Sequence, residues 1–328
     1  LADENEILKL IKNELLEMKK SFGDERRTKV IGQELGKFSD EELIADEQVV
    51  VTITTENYIK RTLVSDYRCQ NRGGKGKRAM TTKEADVIDQ LVTASTHDWL
   101  LLFTNKGRVF RLKVHEVPAA SLTSKGVAAV NLVQLQPEER ITSMVRIDKS
   151  HGDKGFMFMT TTQGVVKKTP VADYGNIRTS GLIAIKLDDG DELRWIHLTS
   201  GNDEVIISTS LGQAIRFGEK DVRAMGRSAR GVRGIRLRPK DVVVGAALAD
   251  EKRQLLVISK NGYGKLTKVS NFPTHKRGGV GIKAAIVNGK TGEIVTVRSL
   301  QEDARELLII STKGQSIRLS LEGIPSLN

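Results

Sequence analysis

The chain has 328 residues, 39% of them hydrophobic, 28% charged and only 4% aromatic. That composition suits a globular protein with an aliphatic core and argues against disorder or low complexity. The formal net charge of +11 points to a polyanionic partner, nucleic acid or an anionic membrane surface.

Cys69 is the single cysteine, so an intrachain disulfide is excluded and a reducing, cytoplasmic compartment is expected. Apolar runs reach about five residues, as in Trp99–Phe103, far short of the roughly 20 that a bilayer-spanning helix needs, and no membrane association is expected. No signal-peptide pattern opens the chain, and the absence of an initiator Met points to a piece of a longer protein.

In chain order, residues 1–20 predict a helix. Ile7, Ile11, Leu15 and Met18 form one apolar stripe, and Gly23 is its stop. A connecting segment follows, acidic from Ser39 to Glu47. Residues 1–47 hold 8 basic and 13 acidic residues, net −5, which leaves 44 and 28, net +16, for residues 48–328.

From Val49 a new pattern sets in, six times over: a short apolar run, a turn, then a basic strand. The runs are Val49–Ile53, Trp99–Phe103, Phe156–Met159, Val205–Ile207, Leu255–Ile258 and Leu307–Ile310. The turns end at Asn57, Gly107, Gly164, Gly212, Gly262 and Gly314, at separations of 50, 57, 48, 50 and 52 residues. A period near 50 predicts a propeller or solenoid. A second glycine (Gly76, Gly126, Gly181, Gly231, Gly281) follows each of the first five turns by 17 to 19 residues. Two further strand-like segments come next, Val127–Val133 and Ile141–Ile147 in the second unit, Val232–Leu237 and Val242–Ala247 in the fourth. Four strands per unit are the content of one propeller blade. The expectation is an all-β, six-bladed ring of four-stranded antiparallel blades over residues 48–328, the last blade incomplete. The first strand of each unit is apolar on both faces, as a strand between neighbouring blades should be.

Four residues past the turn stand Arg61, Arg111, Lys168, Arg216 and Arg318, with Lys60 beside Arg61; the fifth unit has Leu266 there and Lys265 one place earlier, on the other face of the strand. This regularity predicts a ring of cations on the blades, although lysines that guard strand edges against aggregation would give some of the same pattern. Arg230 and Arg233, and Lys276 and Arg277 before Gly278-Gly279, add clusters that edge protection does not explain. The densest case is Gln70-Asn71-Arg72-Gly73-Gly74-Lys75-Gly76-Lys77-Arg78, three glycines and four cations in nine residues. Glycine lets main-chain N–H groups approach phosphate oxygens, and the cations supply charge. No strand–Gly-x-x-x-x-Gly-Lys-Ser/Thr–helix unit is present, which excludes a phosphate-loop NTPase.

Gln70–Gly76 closely resembles the gyrase A box, Gln-Arg-Arg-Gly-Gly-Lys/Arg-Gly, of the DNA gyrase A family, with Asn71 in place of the first Arg. The six repeats resemble that family's C-terminal β-pinwheel, a propeller-like disc whose blades exchange strands. Residues 1–23 look like the end of the coiled-coil arm, and 24–47 like the linker. The resemblance implies that double-stranded DNA wraps the basic rim, anchored by the box near the seam of first and last blade, so that strand passage introduces negative supercoils. It also implies a nucleoid-associated setting. The partners would then be the rest of the gyrase A chain together with gyrase B, in an A2B2 holoenzyme. ATP and Mg2+ would act elsewhere in that enzyme, and no cofactor is expected in this chain.

Five scattered histidines and one cysteine lack metal-ligand spacing, and no catalytic triad can be placed. In the resembling family the DNA-attacking tyrosine lies in another domain; Tyr58, Tyr67, Tyr174 and Tyr263 fall in the repeats. The alternatives are the equivalent domain of the topoisomerase IV A protein, whose box is absent or degenerate, and a protein-interaction propeller like the WD-repeat proteins. Against the latter, Trp99 and Trp195 are not followed by Asp and the repeats are basic.

Overall fold

The structure is a computed structural model that describes residues 4–24, 44–66, 86–148, 154–301, 304–310 and 316–327. The chain divides into two compact units, residues 1–43 and 44–328. The first unit contains α1 (Glu4–Phe22), with acidic Glu4 and Glu6 in its first turn and Lys19 and Lys20 in its last, each complementing the helix dipole. Its stripe residues Ile7, Ile11, Leu15 and Met18 are exposed.

The second unit begins at Ile44. Thr96 donates to Ala45 O (2.7 Å) and accepts from Glu47 N–H (3.1 Å), which ties residues 45–47 to the first blade. In chain order the repeats supply β1 (Gln48–Thr54), β2 (Tyr58–Leu63) and β3 (Ile88–Ser95); then β4 (Trp99–Thr104), β5 (Arg108–Lys113), β6 (Val127–Ala128) and β7 (Ile141–Ile147). The third gives β8 (Phe156–Thr161), β9 (Val165–Pro170), β10 (Leu182–Ile183) and β11 (Leu193–Thr199), and the fourth β12 (Glu204–Thr209), β13 (Gln213–Gly218), β14 (Val232–Arg233) and β15 (Val243–Leu248). The fifth gives β16 (Gln254–Ser259), β17 (Gly264–Lys268), β18 (Ile282–Lys283) and β19 (Ile294–Leu300), and the sixth only β20 (Glu306–Ile310) and β21 (Ser316–Ser320).

The sheets do not follow the repeats. Their strand orders are β3-β1-β2-β6, β10-β5-β4-β7, β11-β8-β9-β14 and β15-β12-β13-β18. Each of these four blades takes its own hairpin and long third strand, then borrows a two-residue strand from the following repeat. Val127–Val133 and Val232–Leu237 are therefore not strands of their own blades: the paired part shrinks to two residues, and it belongs to the blade before. Of the expected ring of six blades with the last incomplete, the described residues show the all-β propeller with five blades: four are four-stranded, the fifth has three strands, β17-β16-β19, and the sixth repeat contributes a two-stranded hairpin. The parallel bridges Arg61↔Ala119 and Leu266↔Ser326 are equivalent.

The second glycines mark where the exchange happens. Gly126, Gly181, Gly231 and Gly281 have φ of +87°, +77°, +98° and +71°, and a Cβ on each would stand 2.3–2.7 Å from an atom of the preceding blade's second strand. Only glycine turns the chain there and lets it lie against the neighbour. The crossing is completed by equivalent bonds to the neighbour's turn, from Ala129, Ala184, Gly234 and Ala284 N–H to the carbonyls of Asn57, Gly107, Gly164 and Gly212 (2.7–2.8 Å).

Side-chain alternation on the first strands then builds four cores between blades. Leu100 and Leu102 face Val49, Val51 and Ile53, while Leu101 and Phe103 on the same strand face Met157 and Met159. Phe158 packs with Val205 and Ile207, and Ile206 with Leu255 and Val257. The third strands β3, β7, β11, β15 and β19 pack against one another in that order. This leaves the second strands and the borrowed strands as the opposite edge of each blade.

Candidate nucleic-acid interface

The residues Gln70, Arg72, Gly73, Gly74, Lys75, Gly76, Lys77 and Arg78 lie outside the described residues, as does the Arg318 side chain. For the other expected cations the structure divides the set.

The cations four residues past the turn do not form an open ring. Lys168 and Arg216 are buried, at 6% and 5% exposure. Lys168 donates to Glu219 O (3.0 Å) and lies 5.0 Å from the centre of the Phe156 ring. Arg216 donates to Glu204 Oε2 (2.8 Å), Glu251 Oε1 (2.9 Å) and Phe272 O (3.2 Å). Arg61, half-buried, donates to Val117 O (2.6 Å). The Arg111 guanidinium stacks 3.6 Å from the Trp99 ring centre and bonds Gly175 O. In each of these four the charge meets the segment that leads into the borrowed strand, or the chain packed beside it.

The position just before is the other face of the strand, and there the cations turn into the blade. Lys60, 2% exposed, donates to the carbonyls of Ser121 (3.1 Å), Leu122 (2.7 Å) and Ser124 (2.8 Å). Lys167, fully buried, donates to Ala184 O (2.6 Å) and to Arg227 O. These ammonium groups fasten the loops that carry the borrowed strands β6 and β14. Burial lowers the Lys60 and Lys265 ammonium groups from their ordinary range, and it pushes Lys167 down to about 8, with Asp173 opposing and Arg227 adding to the shift.

That depression has a sign that can be measured. Lys167 releases its proton near pH 8 in the folded chain, whereas the unfolded chain holds it to about 10.5. The unfolded state therefore binds more protons across this window, and this group makes stability rise with pH from about 8 to 10.5. Replacing Lys167 with Met removes the effect. The stability gap between wild type and variant in urea is expected to be wider at pH 10 than at pH 7.5. A constant gap would show that the ammonium is not held as described.

The open cations lie on the exchange loops of the fourth and fifth repeats. Residues 223–240 contain seven cations and no acid, and residues 270–290 are likewise free of Asp and Glu. Arg223, Arg230, Arg233, Arg236, Arg238 and Lys240 are exposed, as are Lys276, Lys283 and Lys290. Arg230 pairs with Asp188, while the half-buried Arg227 and Arg277 donate to main-chain carbonyls. Of the expected residues, Arg230, Arg233 and Lys276 thus face solvent. Arg223, Arg236, Arg238, Lys240 and Lys283 were missed because they sit outside the regular second strand; the signal for them was the acid-free run itself.

Successive exchange loops also meet. Lys186 N–H donates to Ala229 O (3.2 Å), and Arg236 N–H donates to Gly279 O (2.8 Å), so two exposed cations mark equivalent seams along this edge. Repeated acids do a different job. Asp86, Asp191 and Asp241 each accept bonds at one Oδ from a Thr or Ser hydroxyl and a main-chain N–H of the blade's hairpin turn, and so cap it. Among the described residues no group of three His, Cys, Asp or Glu side chains converges as a metal site would.

The sequence matches the family described as "DNA gyrase C-terminal domain, beta-propeller" over residues 48–95, 98–148, 156–200, 203–250, 253–301 and 305–328. It is 43% identical over 326 residues to the DNA gyrase A protein of Staphylococcus epidermidis, covering 99% of this chain and 36% of that protein. The DNA gyrase A protein of Staphylococcus aureus is 43% identical over 329 residues, covering 99% of this chain and 37% of that protein. The chain thus spans about a third of the length of these relatives. Among solved structures, the C-terminal domain of DNA topoisomerase IV has a TM-score of 0.70 at 28% identity, covering 86% of each chain. A DNA gyrase A C-terminal domain has 0.68 at 27% identity, covering 86% of this chain and 92% of that one.

Proposed function

Since this chain belongs to the DNA gyrase C-terminal domain family, we propose that its β-propeller binds duplex DNA and bends it around the edge formed by the exchange loops. The observation that carries this reading is the solvent-facing cations of two acid-free runs on the fourth and fifth exchange loops, Arg223–Lys240 and Lys276–Lys290. A cation-lined edge that shows no base-reading helix or ribbon among the described residues suits backbone binding with little sequence readout. In this reading the six repeats form a six-bladed ring, and the cations Arg72, Lys75, Lys77 and Arg78 of Gln70–Arg78 anchor one end of the wrap.

Within the whole enzyme the domain presents the wrapped DNA so that strand passage introduces negative supercoils. Strand cleavage, ATP and Mg2+ belong to other parts of gyrase A and gyrase B, and this chain acts in the cytoplasm as their non-catalytic DNA-holding part. Residues 1–47 are the end of a coiled-coil arm and its linker, to which the exposed apolar stripe of α1 is suited. A second reading is the corresponding domain of topoisomerase IV, supported by the fold likeness above; the box-like Gln70–Gly76 favours gyrase.

The test is a variant with Arg72, Lys75, Lys77 and Arg78 all changed to Ala. The variant is expected to melt like wild type, within the roughly 0.5 kcal/mol usual for surface substitutions. Duplex binding by gel shift is expected to weaken moderately, while approach of the DNA ends, read by fluorescence transfer on a long duplex, is expected to collapse. A variant that brings the ends together as well as wild type removes the box from the wrap. A wild-type chain that shows no preference for long over short duplexes removes the wrapping reading itself.

A further inference from the structure

Each of the first four blades sends a cation into the repeat that follows it. Arg61, Arg111, Lys168 and Arg216, at one place in their second strands, donate to Val117 O, Gly175 O, Glu219 O and Phe272 O. These acceptors lie in or just after the short 3-10 turn that follows the next repeat's second strand. A charged donor makes a hydrogen bond roughly twice as strong as a neutral one, so the four side chains act as ties between repeats.

The fifth blade has Leu266 at that place, and it is buried. The main-chain part of the joint is otherwise copied. Leu266 N–H donates to Pro325 O (2.9 Å) and Leu266 O accepts from Leu327 N–H (2.8 Å), as Arg61 does with Pro118 O (3.0 Å) and Ala120 N–H (2.9 Å). Thr267 Oγ1 donates to Leu327 O (2.9 Å), as Thr62 Oγ1 does to Ala120 O (3.2 Å). Ile324 closes the 3-10 turn Leu321–Gly323 as Val117 and Phe272 close theirs, but a leucine has no donor to offer its carbonyl. Space stands where the tie would be. A cleft of about 750 Å³ opens at this joint, lined by Gln254, Leu266, Leu300 and Gln301 and, from the sixth repeat, by Leu321 and Glu322. The cleft at the first joint, lined by the equivalent positions Val49 and Arg61, is about 340 Å³.

We propose that the joint between the fifth blade and the sixth repeat is the compliant joint of the propeller, where the sixth repeat opens from the fifth blade as a unit while the four tied joints stay closed. Opening there breaks neutral hydrogen bonds, whereas each of the four joints before it must also lose a charged one. The cleft already exposes part of this joint to solvent. The device is a property of the fold and does not depend on whether DNA binds.

The test is native-state hydrogen exchange on the 328-residue chain, read at the Leu266 and Leu327 amides and at their counterparts Arg61 and Ala120. Leu266 and Leu327 are expected to exchange about tenfold faster than Arg61 and Ala120, the worth of one charged hydrogen bond, and to share one denaturant dependence with the β20 amides. Leu266→Arg supplies the missing donor and is expected to slow Leu327 and the amide at position 266 about tenfold, leaving Arg61 and Ala120 as they are. The reciprocal Arg61→Leu is expected to speed Ala120 and the amide at position 61 by a similar factor. Melting checks both variants for folding, and Arg61→Leu decides alone if Leu266→Arg does not fold. Wild-type Leu266 and Leu327 amides as slow as those of Arg61 and Ala120 would overturn the proposal. Fast exchange at the fifth joint that neither substitution shifts at its own joint would mark simple fraying, and would overturn it as well.

Discussion

Raising salt from 50 to 200 mM is expected to weaken duplex binding by about 10³–10⁵, the loss for a protein that neutralises roughly 6–10 phosphates. The exposed cations support a number of that order. Arg223, Arg233, Arg236, Arg238, Lys240, Lys276, Lys283 and Lys290 lie on two adjoining exchange loops without an acid among them. Arg230 counts for less because Asp188 already holds it. The inward cations Lys60, Lys167, Lys168 and Arg216 are excluded from the count, since moving them to a phosphate would strand the main-chain carbonyls they serve and, for Arg216, also break its pairs with Glu204 and Glu251. A bend of 40–90° over 20–30 bp costs on the order of 1–6 kcal/mol, which contacts must offset along the whole path and not at one loop. Equilibrium titration at several salt concentrations reads the slope directly. Affinity indifferent to salt, or steeply dependent on base sequence, contradicts backbone binding.

Gly281→Ala is expected to lower stability by about 3–5 kcal/mol, among the largest effects a single substitution has. The backbone there sits at φ +71°, and an added Cβ would stand 2.3 Å from Ala214 O and 2.7 Å from Ala214 C. Neither neighbour can retreat cheaply. Ala214 is paired in the middle of a blade, opposite Ser208 on one side and Ile282 on the other, and Gly281 leads straight into that second pairing. Left-handed strain alone accounts for about 1–2 kcal/mol. The collision with backbone adds the rest by prying β18 from the blade it completes. Gly190→Ala is the control, with φ +75° but nothing within 4 Å of its Cβ. Urea denaturation of both variants decides the matter: equal losses would mean that φ matters at Gly281 and the strand crossing does not.

Most of the hairpins could be read from residue order. An apolar run needs no partner to be recognised, so Trp99–Phe103 and Phe156–Met159 fall within β4 and β8 as observed. The crossing glycines were visible as a spacing but not as a function. Positive φ is a property of the glycine, whereas the atom its Cβ would strike belongs to another repeat. The borrowed strands were invisible for a related reason. Two paired residues carry no periodicity, and Val127 pairs with Ile59, 68 residues earlier. The reach of Lys60 to Ser124 spans a similar gap.

The sequence by itself determined the repeat, its period, the apolar strands and the surplus of positive charge, because each depends on residues close together in the chain. Tertiary structure alone decided which blade each short strand completes and which cations face solvent. A strand buried on both faces has no outer side that alternation could reveal, so Lys60 and Lys167 look as available as Arg233. Only when the next repeat crosses over do Ser121 O and Arg227 O close on those two ammonium groups, while Arg233, on the loop that closes on Lys167, is left facing water.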